Sequence, residues 1–297
     1  MIKKFCSLFQ LNNEDENMQI QLIHRFEIGL FCFRIFTFLW LFHKLHNFFA
    51  LSERPKELYF HVSYFGQLFA PILPSVSLFV SIWTIAFILN LLQLKKTKTT
   101  LQIILFLALT WINVIEWSLG YLSHVGHLFL LLHLLITFFQ QKSNNNEYVL
   151  AIKWVNIGLF STYSLAGLWK VLTLLKLLLL NNWENSWMLP KAMLYQLITH
   201  NRDWDLDMSP IYWIFEIPYL WQIAFILLVL IQFTSVIAGI SIKYLPIYVL
   251  LIIGMHIFNL VFFQVEFYTP IFVLLSFYFS YYLKEVWVNK FKSILNL

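Results

Sequence analysis

Apolar runs of about bilayer length recur along this chain, and no other feature limits its folding as strongly. A hydrocarbon core about 30 Å thick needs roughly 20 consecutive apolar residues of helix. Such runs occupy residues 27–51, 75–94, 101–120, 124–139, 149–171, 212–239, 246–265 and 269–283. In lipid every backbone N–H and C=O must be bonded within the protein, so the spanning element is a helix or a closed barrel. Barrel strands alternate apolar and polar residues, and these runs do not. The expectation is an all-α polytopic membrane protein with about eight transmembrane helices. Composition agrees, with 60% of the 297 residues hydrophobic and 12% charged, against roughly 25% charged in a soluble domain.

Eight spans place both termini on one side. Lys3, Lys4, Lys95, Lys96, Lys98, Lys142, Lys243, Lys284, Lys290 and Lys292 fall on that side, and Arg54, Lys56, Lys191 and Arg202 on the other. Ten against four predicts cytoplasmic termini, because basic loops stay inside. The formal charge of +5 therefore sets topology and is no nucleic-acid signal. Residues 1–26 read as a cytoplasmic lead, too polar at Asn12-Asn13-Glu14-Asp15-Glu16-Asn17 for a cleavable signal peptide. Residues 27–283 form the transmembrane domain, with a long outer connection at 181–211, and 284–297 form a basic cytoplasmic tail. Leu172–Leu180 is expected to lie along the surface, and Pro218 to kink the sixth span. The two cysteines, Cys6 and Cys32, form no CxxC, so neither a dithiol site nor a cysteine-held zinc is expected.

Polar residues inside apolar runs are costly and are functional candidates by default. Arg34 lies in the first span and must face the bundle interior or a wet cavity. Glu116 and Glu216 lie within or at the edge of spans, with Lys170, Arg34 and the histidines as available partners; structural ion pairing and site chemistry both account for them. His124 and His127 share a helix face at the outer mouth of the fourth span, without a carboxylate at metal-ligand spacing. Asp203, Asp205 and Asp207 resemble half a calcium loop, but Met208 stands where the glycine belongs. No metal is expected.

The fifth span contains Tyr163-Ser164-Leu165-Ala166-Gly167-Leu168-Trp169-Lys170. Tyr163, Ala166, Gly167 and Lys170 share one helix face, and the two small residues admit another helix or a flat ligand close to the backbone. Lys170 is either a lysine snorkelling to the outer surface or a functional amine. The stretch through Val171 resembles the Y-x-x-A-G-x-K-K-L segment of vitamin K-dependent γ-glutamyl carboxylases. A form with a more variable lysine marks the wider horizontally transferred transmembrane domain (HTTM) family. His256-Ile257-Phe258-Asn259-Leu260-Val261-Phe262-Phe263 resembles the later H-x-M-N-x-x-L-F segment. Glu216-Ile217-Pro218 resembles the E-x-x-x-P opening of the span after the outer loop, one residue shorter, and Arg34 fits the arginine of the first HTTM span. His124-Val125-Gly126-His127 lies where the carboxylases carry N-N-H-x-Y-L, either histidine being the counterpart. These pieces occur in the family's order from Arg34 to Phe263.

The resemblance implies a carboxylase-like lyase or ligase that uses a vitamin K-like quinol. Lys170 is then the base that deprotonates the quinol, supported by His124 or His127 and by Glu216. Arg34, Tyr163, Gly167, His256 and Asn259 are then substrate-binding. A lysine held away from water makes a better base near neutral pH. Trp169 replaces the first lysine of the family's pair, and the continuation after it is leucine-rich. The family's large extramembrane C-terminal domain has no counterpart after the eighth span, so a partner protein is expected to supply it. Two readings stand side by side: a quinol-using membrane enzyme, and a non-catalytic module that binds lipid, quinone or a partner membrane protein. The expected location is the inner membrane of a bacterium.

Overall fold

The structure, a computed structural model, describes residues 16–60, 64–94, 96–119, 126–139, 145–182, 186, 188–189, 213–263 and 267–295. All regular structure among them is helical: α1 Glu16–Ser52, α2 Tyr64–Phe69, α3 Val76–Leu92, α4 Thr99–Ser118, α5 Gly126–Thr137, α6 Asn145–Leu179, α7 Trp213–Glu216, α8 Pro218–Thr234, α9 Val236–Ile240, α10 Leu245–Phe263, α11 Tyr268–Tyr278 and α12 Glu285–Leu295, with 3-10 turns at Lys56–Leu58 and Phe279–Tyr282. Four helical segments are long and apolar enough to cross a membrane: Asn17–Ser52, Thr99–Ser118, Asn145–Leu179 and Pro218–Ile240. A bent pair, Tyr268–Tyr282 with Glu285–Leu295, makes a fifth if taken as one span, and α3, α5 and α10 are shorter apolar helices. Their outward faces carry large apolar side chains such as Leu165, Trp169, Leu178, Ile223 and Leu230. That inverts the surface of a water-soluble helix.

Several element ends differ from the sequence reading. The first described helix covers Glu16–Ser52, so residues 16–26 are continuous with the first apolar run. Tertiary bonds hold them: Gln19 Nε2 donates to Asn146 Oδ1 at 2.9 Å, and Arg25 donates to the carbonyl of Leu283 at 3.0 Å. Leu172–Leu179 continues α6 instead of turning along a surface. A left-handed Asn181 (φ 54°) stops that helix. The Asn181 and Asn182 amides bond back to the carbonyls of Leu178 and Leu177 at 3.2 and 2.9 Å, the double bond of a Schellman cap. Pro218 opens α8 at its first turn, after a break at Ile217; it lacks the N–H that the first turn leaves unused.

The chain divides into two compact units, residues 1–155 with 272–297, and residues 156–271. The core of unit 1 is aromatic. Phe33 lies against Phe129, His133 and Phe277 with ring centroids 4.7–6.0 Å apart, and Trp40 stacks on Phe129 at 4.4 Å. Gly29 lets α1 approach the backbone of Phe277, whose carbonyl occupies the space a Cβ would need. Unit 2 is held by small residues. A Cβ on Gly167 would meet Phe233 Cα at 2.7 Å, and one on Gly239 would meet Ile157 N at 2.6 Å. These two glycines let the second half of α6 pack backbone to backbone with α8 and α9.

Candidate functional site

The notable polar group in unit 2 is a buried dyad. Tyr163 on α6 and His256 on α10 are both buried, and the phenol oxygen lies 2.9 Å from His256 Nε2. The rings meet edge to face at 5.6 Å, and Phe267 covers the imidazole at 5.0 Å. The geometry suits a hydrogen bond whose direction follows the imidazole tautomer. His256 Nδ1 is buried and has no partner among the described residues, which is costly unless something else reaches it.

Beside the dyad runs a seam of hydroxyls. Ser235 Oγ donates to the carbonyl of Phe160 at 2.9 Å and lies 3.0 Å from Ser164 Oγ. The Val236 amide donates to Ser164 Oγ at 2.9 Å. That bond takes up an N–H freed where α8 gives way to α9, so Ser164 stabilises the break. Gly167 belongs to the same seam. The backbone of Gln232 and Phe233 occupies the face that the sequence left open to either a helix or a flat ring.

The remaining expected site residues are scattered. Lys170 is half-buried, makes no ion pair or hydrogen bond among the described residues, and has α6 running on beyond it to Leu179; it is therefore not at the helix end, as the sequence suggested. Glu216 is exposed at the end of α7, and Asn259 is half-buried on α10. Of these residues the structure joins only Tyr163 and His256; Lys170, Glu216 and Asn259 make no hydrogen bond to the dyad or to each other. His124 of unit 1 lies outside the described residues, as does most of the 181–211 connection of unit 2 with Asp203, Asp205 and Asp207. His127 is exposed and rests against Trp117, with ring centroids 5.1 Å apart. Among the described residues no three of His, Cys, Asp and Glu gather as metal ligands.

Unit 1 holds two further polar constellations. Arg34 is 1% exposed and donates to Gln102 Oε1 at 2.6 Å and Asn90 Oδ1 at 3.5 Å. Asn90 returns a bond to the Arg34 carbonyl at 2.8 Å. Gln102 Nε2 lies 2.9 Å from the His133 carbonyl and 3.1 Å from His133 Nδ1. His133 Nε2 lies 3.1 Å from Thr37 Oγ1, which donates to the Phe33 carbonyl at 2.9 Å. These bonds run in one direction if His133 carries its proton on Nε2, since Gln102 then donates to Nδ1 and Thr37 accepts. Arg34 is thus matched by amide oxygens, with no carboxylate in ion-pair range among the described residues.

The second constellation pairs Lys44 with Glu116, both buried. Asn47 donates to the other carboxylate oxygen at 2.6 Å, and the Lys44 ammonium lies 5.0 Å over the Trp40 ring. Asn113, one turn before Glu116, keeps both amide atoms buried and without a partner among the described residues. Sequence reasoning offered Glu116 the partners Lys170, Arg34 and the histidines and missed Lys44. The signal was present, because Lys44 stands in an apolar run that continues for two turns beyond it. No family model, curated protein or solved structure matches the chain.

Proposed function

We propose that the chain is a multi-pass membrane protein of the HTTM, carboxylase-like type, and that unit 2 carries a quinol-using site with Lys170 as base. The observation that supports this is the Tyr163–His256 bond of 2.9 Å. These residues come from the two motif stretches that carry the resemblance, 93 positions apart, and they meet in the unit that also contains Lys170. Among the described residues the Lys170 amine, His256 Nδ1 and Gln232 Oε1 there have no hydrogen-bond partner. They suit a ligand that presents hydroxyl or carbonyl groups from a flat apolar ring. Lys170 would take a proton from such a ligand, and Tyr163 would hold the imidazole so that Nδ1 faces it. On the resemblance, the deprotonated quinol reacts with molecular oxygen to give the strong base that removes a γ-proton from a protein glutamate, and the resulting carbanion takes up carbon dioxide. A partner protein would bring the peptide-holding domain.

The companion reading, a non-catalytic module for lipid, quinone or a partner membrane protein, draws on Gly167. Its open face is filled by helix backbone, so the seam serves packing without any ligand. Quinol oxidation in nanodiscs, measured beside thermal stability, separates the two readings. Lys170→Ala and Lys170→Arg should each lower turnover by at least about a hundredfold, the low end of general-base contributions, because guanidinium keeps its proton. Wild-type turnover by Lys170→Arg removes the base role. No turnover even by the wild type favours the module.

The proposed topology is the eight-span arrangement with cytoplasmic termini in a bacterial inner membrane. Its support is the ten-to-four distribution of basic residues. Ser143→Cys and Asn185→Cys, each introduced singly, should react with an impermeant reagent from opposite sides of sealed cells. Reaction of both from one side removes the eight-span arrangement.

A further inference from the structure

Helix α12 has an unfinished apolar face. At 100° per residue, Trp287, Val288, Phe291, Ile294 and Leu295 share one side, and Glu285, Asn289, Lys292 and Ser293 the other; Val286 is the one apolar residue out of place. Val288 is buried, but Trp287 is 50% and Ile294 65% exposed. Half of the apolar side therefore packs within unit 1 and half is uncovered. The helix axis turns by 113° from the preceding apolar segment Tyr268–Tyr282. If that segment crosses a membrane, α12 runs nearly in the membrane plane.

The polar side is pinned to one level of α1. Gln21 Nε2 donates to Glu285 Oε1 at 2.6 Å, and Lys292 Nζ lies 3.2 Å from Glu27 Oε2. Arg25 at the same level donates to the carbonyls of Ser280 and Leu283. This belt of charge sits where the long apolar run of α1 begins, as expected at a membrane–water boundary. Lys284 and Lys290 are exposed and have no acidic partner among the described residues. The Lys290 ammonium lies 5.1 Å from the Trp287 ring, on the edge of the uncovered face. Glu285, the sole acid of α12, is already engaged by Gln21.

We propose that α12 lies in the headgroup layer of the membrane, with Trp287, Phe291 and Ile294 at the acyl boundary and Lys284 and Lys290 on the phosphates of anionic phospholipid. An apolar strip edged by tryptophan and lysine is the pattern of an interfacial helix, and the unpaired positive charge selects anionic lipid. The inference rests on the membrane-protein reading of the preceding subsection.

The test uses the full chain with Cys6→Ser and Cys32→Ser, spin-labelled singly at Ile294→Cys, Asn289→Cys or Leu227→Cys, in phosphatidylcholine vesicles with or without phosphatidylglycerol. Residue 294 should be accessible to oxygen and shielded from a nickel chelate, and residue 289 the reverse. Residue 227, exposed on α8, should report the deep bilayer. In the anionic vesicles, Lys284→Gln and Lys290→Gln should each lower the ratio of lipid-bound to free label at residue 294 by roughly fivefold. A water-exposed label at 294 with a buried label at 227 overturns the inference and leaves the membrane reading standing. A water-exposed label at 227 overturns that reading. A label at 294 shielded from both reagents means that a protein surface covers α12, and equal behaviour in both lipids removes the anionic preference; either result overturns the inference.

Discussion

The two units treat polarity in opposite ways. In unit 1 the buried charges are answered inside the unit, Lys44 by Glu116 and Asn47, and Arg34 by Gln102 and Asn90. In unit 2 the buried polar groups are the amides of Asn156 and Gln232, the hydroxyls of Tyr163, Ser186 and Ser235 and the His256 imidazole, and the half-buried cation Lys170 finds no described partner. A charge answered by neighbours is bound up in the fold, whereas an unanswered one leaves free energy to be gained from a ligand. Unit 1 has more buried polar atoms without a hydrogen bond among the described residues, on Glu27, Arg34, Gln93, Asn113 and Tyr281, but its buried charges are matched or bonded. The contrast is therefore one of charge: the buried cations of unit 1 have partners, and the half-buried Lys170 of unit 2 has none among the described residues.

The strongest way to break this contrast is to unmatch the pair in unit 1. Glu116→Ala leaves the Lys44 ammonium buried without its carboxylate and should cost about 3–5 kcal/mol, while Lys44→Met with Glu116→Leu should be neutral or stabilising. Thermal and denaturant unfolding of the full chain in detergent read both. If the single variant is as stable as the wild type, Lys44 and Glu116 are not a structural pair, and unit 1 becomes a site candidate as well.

The glycines test the seam at smaller amplitude. Gly167→Ala sets a Cβ against the backbone of Phe233, which cannot give way as a flexible side chain would. A loss of about 1–3 kcal/mol is expected for such overpacking. Gly254 on α10 has nothing within 4 Å of the added atom, so Gly254→Ala should stabilise by up to about 1 kcal/mol through helix propensity. Equal effects of the two variants would mean that α6 and α8 do not meet at Gly167.

Much of this was legible beforehand, for identifiable reasons. Runs such as Thr99–Ser118 and Pro218–Ile240 are apolar throughout and declare themselves by length alone. Arg34 had to be interior because an arginine cannot face lipid cheaply. Its partners were not legible, since Asn90, Gln102 and His133 are ordinary polar residues until helix rotation aims them at one point. Lys44 was missed because the spacing within one helix does not say which turn of another it faces; Leu172–Leu179 was misread for a different reason. Apolar composition cannot say where a helix leaves the membrane, whereas a left-handed asparagine or a tertiary bond can. Tyr163 and His256 were placed on motifs but not paired, because spacing within one helix says nothing about which turn of another helix it faces.

The finest test concerns that pair. Tyr163→Phe keeps the ring and removes one hydroxyl, leaving His256 buried with neither nitrogen bonded among the described residues. A net loss of about 1 kcal/mol is expected for a neutral hydrogen bond. The cycle with His256→Leu isolates the coupling, because the phenol's packing is retained in every variant that carries Phe. If the dyad only braces α6 against α10, stability falls and any quinol turnover per folded molecule is unchanged. If the phenol orients the imidazole for a ligand, Tyr163→Phe should lower turnover per folded molecule well beyond the roughly fivefold that 1 kcal/mol represents. A coupling indistinguishable from zero would mean that the two residues touch without bonding, and the contrast with the matched cations of unit 1 would then rest on Lys170 alone.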